Sequence, residues 1–519
     1  MLSEFFPECV IFERFGQSFA NHEITRWLWR LGWAVYSRVL SRGHDMRVLL
    51  FVFGFVSLVA CATRAPETAN ESPPPPPPAP VAAPPTSGPA NAPEPVFGRS
   101  LAGRRCTGEG FHCVRVIYGT NRDRLTRKDD PADQAAYGTE PERHSGDPVE
   151  PSTYRAAYAV PEGIVQMPTT TRLETGEVII TIPALHQRGD AIRSFGNVRR
   201  AVSDEDRAKR FSFLQAVDPF ESYDEFRDTV AELYANTDER DAILHVHGFN
   251  VSFRAGAFRA AQLKSDTGFD GPVFYFSWPS NAKLTEYFND QVDGDVSARA
   301  LANFMLQMRE EVPEGGQIHV IAHSMGTRVF SQAAALLRES EAWPVDGDGG
   351  LGAVILAAGD LDSGLASEWL GPPDALAESV TFLTSKNDKA VRFSGVLRNL
   401  FLRSERRRKT RIGFFKASRG PVVFPGVNVF DISYVKAGFW EKFASTNHST
   451  YAQDVFSLDY IAKLLDEPSA NPQVFAGQGL ARCDADPLRY WVLGLVTGRQ
   501  VCSRNYETVN VTAETASLD

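Results

Sequence analysis

The chain has 519 residues, 43% of them hydrophobic and 23% charged, with a net charge of −10. That length suits one large domain with extensions, or two or three domains, at the polarity of an ordinary globular protein. The acidic balance speaks against a general nucleic-acid-binding surface.

At the N-terminus, Arg42, His44 and Arg47 precede an apolar run from Val48 to Ala60. A bilayer-spanning helix needs about 20 residues, so this run fits the core of a signal peptide better. It ends in Leu58-Val59-Ala60-Cys61, which resembles a bacterial lipobox, whose cysteine is acylated and becomes the new N-terminus. Met46 begins this signal, so 1–45 is expected to be a mis-assigned upstream segment and 46–61 a lipoprotein signal peptide. The alternative keeps 1–45 as an interfacial helix carrying Trp27, Leu31 and Val35, with 48–60 as an uncleaved anchor. Residues 62–100 hold the prolines Pro73 to Pro78 in a row and read as a disordered, semi-rigid spacer. These features place the protein at the cell envelope, lipid-anchored, with a mild preference for the periplasmic face of the outer membrane because Ala62 rather than aspartate follows Cys61. Cys106, Cys113, Cys483 and Cys502 permit three pairings. The local one, Cys106–Cys113 with Cys483–Cys502, is expected in an oxidising compartment, against four free thiols.

Residues 101–470 read as one domain and 471–519 as a C-terminal extension with a disulfide. Within the domain, strands are expected over 114–118 and 178–183, with a polar loop from Arg122 to Thr153 between them. A helix follows over 220–234. Strands are then expected over 243–246, 273–276, 318–322, 353–358, 380–384 and 427–432, with helices over 253–263, 297–308, 328–337 and 455–465. Short apolar strands alternating with helices imply a mostly parallel sheet covered on both faces. In such a sheet the reactive groups sit at the carboxyl ends of strands.

The strand ends carry the chemistry. Ile318 to Ala322 runs into His323-Ser324-Met325-Gly326, and a helical pattern follows. Small residues on both sides of a serine allow the sharp strand–turn–helix that exposes a nucleophilic hydroxyl. That hydroxyl needs a histidine base and a carboxylate to fix the base's tautomer. His448 is the one histidine of the ten that follows Ser324. Asp388, after the 380–384 strand, is the expected acid, and Asp360, one strand earlier, is the alternative acid. An oxyanion hole needs two aimed N–H donors, here expected from Met325 and from Phe249 in the His247-Gly248-Phe249 turn. His247 is expected to bond within that turn without a catalytic part. His323 reads as a packed neighbour, Trp278 as either pocket wall or sheet cover, and the basic run Arg403 to Arg411 as a solvated face or a patch for anionic headgroups.

Together these segments resemble a bacterial α/β-hydrolase family of formerly unknown function within the esterase/lipase superfamily. The resemblance rests on Tyr118-Gly119-Thr120-Asn121-Arg122, Val246-His247-Gly248-Phe249-Asn250, Phe276-Ser277-Trp278-Pro279-Ser280, Ala322-His323-Ser324-Met325-Gly326, Ala357-Ala358-Gly359-Asp360 and Ser385-Lys386-Asn387-Asp388-Lys389-Ala390. Two positions depart from the pattern: Ala322 where the elbow commonly has glycine, and Gly359 where proline is expected before Asp360. The resemblance implies an α/β-hydrolase fold and a serine esterase that needs no metal or organic cofactor and acts on a small-molecule or lipid ester. An acyltransferase or amidase with the same triad is the nearest alternative. A non-catalytic envelope binding protein on the same fold is the more distant one. Nothing here specifies the oligomeric state.

Overall fold

The computed structural model describes residues 109–124, 137–141, 173–194, 202–214, 217–280, 287–339, 350–401, 410–416, 418–435, 448–472, 480–485, 488–493 and 507–508. All of these lie in the unit Pro95–Asp519. The signal peptide with Cys61, the proline spacer, Cys106, Cys502 and most of the basic run fall outside the described residues.

Ten strands make the backbone of the fold: β1 (Phe111–Thr120), β2 (Glu174–Pro183), β3 (Ala242–Val246), β4 (Val273–Ser277), β5 (Ile318–His323), β6 (Leu351–Ala357), β7 (Ala377–Thr384), β8 (Val427–Asp431), β9 (Leu480–Ala485) and β10 (Leu488–Leu493). Their order across the sheet is β9-β10-β8-β7-β6-β5-β3-β4-β1-β2. The short strands Ser212–Phe213 and Asp218–Pro219 add to β2 at the far edge. The pairs from β10 through β8, β7, β6, β5, β3 and β4 to β1 are parallel; β1–β2 and β9–β10 are antiparallel. The central strands are short apolar runs because both of their faces are covered.

The helices divide between those faces. Helices α1 (Tyr223–Tyr234), α3 (Tyr287–Glu311), α4 (Gly326–Glu339) and α5 (Ser363–Leu370) share one hydrophobic core with Leu244, Val246, Val320 and Ala322. Helices α2 (Phe253–Thr267) and α7 (Val455–Asp466) share the other with Ile243, Tyr275, Ile321 and Phe430. The period-2 alternation of each strand thus feeds two cores. Burying one aliphatic side chain fully contributes roughly 1.5–3 kcal/mol, so these two layers supply most of the driving force. A further helix, α6 (Lys389–Phe401), follows β7 directly.

The differences from expectation have local causes. Helix α3 starts ten residues before Ser297, because its first turns carry Asn289, Asp290, Gln291 and Asp293 and lack an apolar stripe. The loop expected from Arg122 to Thr153 contains a small hairpin, Arg122–Arg124 with Tyr137–Pro141. Residues 480–493, expected beyond the domain, carry β9 and β10 and continue the same sheet beside β8. Cys113 on β1 and Cys483 on β9 are each disulfide-bonded. Eight strand spacings of about 4.8 Å separate them across the sheet, too far for a bond to one another.

Candidate active site

Ser324 closes β5 with φ of +54°, a left-handed conformation that costs a non-glycine residue about 1–2 kcal/mol. Its backbone is held at both ends. The Ser324 N–H donates to Ala357 O at 2.9 Å, while its carbonyl accepts from Asp360 N at 3.0 Å, Thr327 N at 3.1 Å and Thr327 Oγ1 at 2.6 Å. Helix α4 starts two residues later, at Gly326. The Met325 N–H just before it donates to no other backbone group among the described residues. An unspent N–H at a helix N-terminus is suited to negative charge.

Two glycines set how closely the turns pack. A Cβ at Gly326 would lie 2.3 Å from His247 O and 2.6 Å from Val246 O, so α4 can approach the end of β3 only without a side chain there. A Cβ at Gly248 would lie 2.7 Å from Ser324 Cβ and 3.0 Å from His323 O. The His247-Gly248-Phe249 turn therefore rests against the Ser324 turn. We predict that Gly326→Ala loses about 2–3 kcal/mol or more, because the clash is with backbone that cannot swing away. Urea unfolding of the variant checks this; an unchanged midpoint would overturn it.

His448 and Asp388 meet across two loops. His448 Nδ1 lies 2.7 Å from Asp388 Oδ2. Asp388 is buried (1% exposed), while the His448 side chain keeps 17% exposure. The other carboxylate oxygen, Oδ1, accepts from Val391 N at 2.9 Å and so caps α6. The helix cap fixes the carboxylate and leaves one oxygen for the imidazole. Because the carboxylate accepts, Nδ1 donates, and Nε2 becomes the basic nitrogen of His448. Burial alone would lower the pKa of His448. The charge and hydrogen bond of Asp388, with a more distant contribution from Asp360, outweigh burial and hold it above 6.5.

Asp360, the alternative acid, is otherwise engaged. Its carboxylate accepts from Ser394 Oγ at 2.7 Å and pairs with Arg411 Nε at 3.2 Å. Arg411 is itself buried, at 4% exposure, so the end of the basic run is an internal ion pair rather than a solvated face. Asp360 thus supports the site through its N–H to Ser324 and its charge, and Asp388 makes the hydrogen bond to His448. Trp278 is fully buried and stacks on His247 at 5.0 Å, which removes it as the wall of an open pocket.

His323 is more than a packed neighbour of the serine. Its ring lies 4.5 Å from that of His448 and 4.8 Å from that of Tyr451, and its Nε2 sits 3.0 Å from His448 O. A carbonyl only accepts, so Nε2 carries the proton. Burial, followed by the proximity of His448, drives the pKa of His323 well below 6.5. A neutral ring therefore sits beside His448 without competing for its proton. Spacing hides this contact, because the two histidines are 125 residues apart. Among the described residues, no three His, Cys, Asp or Glu side chains are grouped as a metal site.

Residues 222–453 match the family described as "Alpha/beta hydrolase of unknown function". With the parallel sheet and its two helical layers, the chain has the α/β-hydrolase fold, which supports a hydrolase-type function. An uncharacterized protein of Nostoc sp. is 48% identical over 52 residues, which span 10% of this chain and 13% of that relative. Two structures of an esterase from Pyrobaculum calidifontis align at 12% and 11% identity, each covering 48% of this chain and 92% of the other, with TM-scores of 0.25.

Proposed function

We propose that the chain is a serine hydrolase of carboxylic esters, working through Ser324, His448 and Asp388. One observation carries this reading: a histidine bonded through Nδ1 to a buried, helix-capping carboxylate, at the sheet rim where a strained serine turn also ends. In this reading Nε2 of His448 takes the Ser324 proton as Oγ attacks the ester carbonyl. The oxyanion is held by the N–H groups of Met325 and Phe249. Collapse breaks the bond to the alcohol, which leaves with the proton from His448. Water, deprotonated by the same nitrogen, then releases the acid and frees Ser324.

Among the described contacts, none joins the Ser324 hydroxyl to the His448 ring. Serine–histidine bonds are often long in ligand-free sites and tighten when substrate binds. The helix-capped acid, the neutral His323 and the pinned Ser324 backbone support the reading independently of that bond. The test is labelling with a fluorophosphonate probe, followed by hydrolysis of p-nitrophenyl esters of increasing chain length. Labelling confined to the Ser324 peptide is expected. A folded protein that neither labels nor turns over these esters would return the chain to the class of binding proteins.

A further inference from the structure

Arg122 and His247 take no part in the chemistry above, yet both are buried: each is 1% exposed. Arg122 follows β1. Its Nε–H donates to Ser277 Oγ at 2.8 Å, at the end of β4. One terminal NH2 donates to Val251 O at 2.8 Å and lies 3.2 Å from His247 Nε2. The guanidinium therefore touches both ends of the turn that runs from His247 to Val251.

The donor inventory decides the protons. A guanidinium has no acceptor, so His247 Nε2 must present its lone pair to Arg122. His247 Nδ1 lies 2.7 Å from Gly248 O, which only accepts, so the proton belongs on Nδ1. A doubly protonated ring is opposed first by burial and then by the charge of Arg122. The 3.1 Å approach of Nε2 to Trp278 O is then a contact between two acceptors, not a hydrogen bond. The ring plane is fixed by Trp278, stacked at 4° to it, whose Nε1–H donates to His247 O at 2.7 Å. Within the turn, Asn250, at φ of +59°, donates its N–H to Ser280 Oγ at 2.8 Å. Ser280 in turn donates to buried Asp290 at 2.7 Å.

The consequence lies in one peptide. The Gly248 carbonyl is drawn toward the His247 ring. In a planar trans peptide the following N–H, that of Phe249, points the opposite way. Gly248 rests against Ser324, within 2.7 Å of Ser324 Cβ for an added methyl group. We infer that Arg122 fixes the Nδ1–H form of His247, and that His247 thereby sets the Gly248–Phe249 peptide plane and aims the Phe249 N–H at the oxyanion. Both are positioning residues. The inference rests on the proposed role of Phe249 as an oxyanion donor.

The test compares His247→Leu, which removes the Nδ1 donor, with His247→Asn, whose amide N–H2 reaches about where Nδ1 stands and needs no tautomer chosen for it. Each is also combined with Arg122→Lys, which keeps the charge but loses the fork. A misaimed oxyanion donor raises the barrier without weakening ground-state binding. His247→Leu is therefore expected to lower kcat on a p-nitrophenyl ester by about 10- to 100-fold with KM nearly unchanged. His247→Asn is expected to recover most of that loss. Arg122→Lys is expected to cost about tenfold in the His247 background and much less in the His247→Asn background, since the residues act through one another. Equal rates for the Leu and Asn variants, or an Arg122→Lys effect of the same size in both backgrounds, would overturn the inference. If His247→Leu does not fold, the Arg122→Lys comparison decides alone. Failure of the underlying site reading looks different: the wild-type protein would then neither label at Ser324 nor hydrolyse the ester.

Discussion

Ser324→Ala is expected to lower ester turnover by about 10⁶-fold, the scale on which removing the nucleophile of a serine triad acts. The protein should stay folded. The bonds that hold this strained turn run through the Ser324 N–H and carbonyl, to Ala357, Asp360 and Thr327, and alanine keeps them all. The left-handed φ of +54° is no easier for alanine than for serine, so stability should change by less than about 1 kcal/mol. Turnover of a p-nitrophenyl ester and a thermal melt on the same preparation measure both parts. The N–H groups of Met325 and Phe249, the proposed oxyanion donors, survive, so a residual rate above that of water is expected rather than none. Turnover within tenfold of wild type would show that the nucleophile lies elsewhere.

That expectation depends on how the turn is built, and the turn was the most legible part of the chain. A run of apolar residues ending in Ala-His-Ser-Met-Gly implies a strand, a tight bend and a helix. The structure explains each small residue by a neighbour: Gly326 faces the His247 and Val246 carbonyls, and Gly248 faces Ser324 itself. The two short turns are thus one packed unit, although 76 residues of chain separate Gly248 from Met325.

Other parts were not legible, for definable reasons. Helix α6 has no sequence feature as strong as the elbow, and nothing in the sequence marks Asp388, the expected acid, as its cap. Its double use, one oxygen on Val391 N and the other on His448, is a tertiary fact. The choice between Asp388 and Asp360 was open for the same reason: both stand at strand ends, and only the buried pairing with Arg411 and the bond from Ser394 distinguish Asp360. Arg411 itself was hidden inside a basic run, because charge patterning carries no information about which member turns inward. Arg122 stood only as a motif letter and His323 as a packed neighbour of the serine, and their partners lie 125 residues away in each case. The sheet edge was misjudged because β9 and β10 find their place through β8.

The pairing of acid and base leads to the second large effect. Asp388→Asn should lower kcat by roughly 10⁴-fold while leaving the fold in place. Asparagine can still accept from Val391 N and cap α6, so the loss of a carboxylate here costs little structure. The chemistry suffers because the amide no longer enforces a proton on His448 Nδ1, and because the imidazolium formed during attack loses its counter-charge. The pH profile separates this from simple misfolding. In the wild-type protein the acid limb of kcat/KM should fall at a pH above 6.5, since Asp388 and Asp360 together outweigh burial in holding the pKa of His448 up. With Asp388 neutralised, burial prevails and the limb should move to lower pH. Stability runs the opposite way in the wild type. A raised folded-state pKa contributes stability that is fully present below the unfolded value, near 6.5, and is lost as pH rises through the folded value. Across that window the enzyme should gain activity while the His448–Asp388 pair contributes less to its melting temperature, and in Asp388→Asn that opposition should disappear. An acid limb that stays where it was would mean that Asp388 does not set the charge of the base.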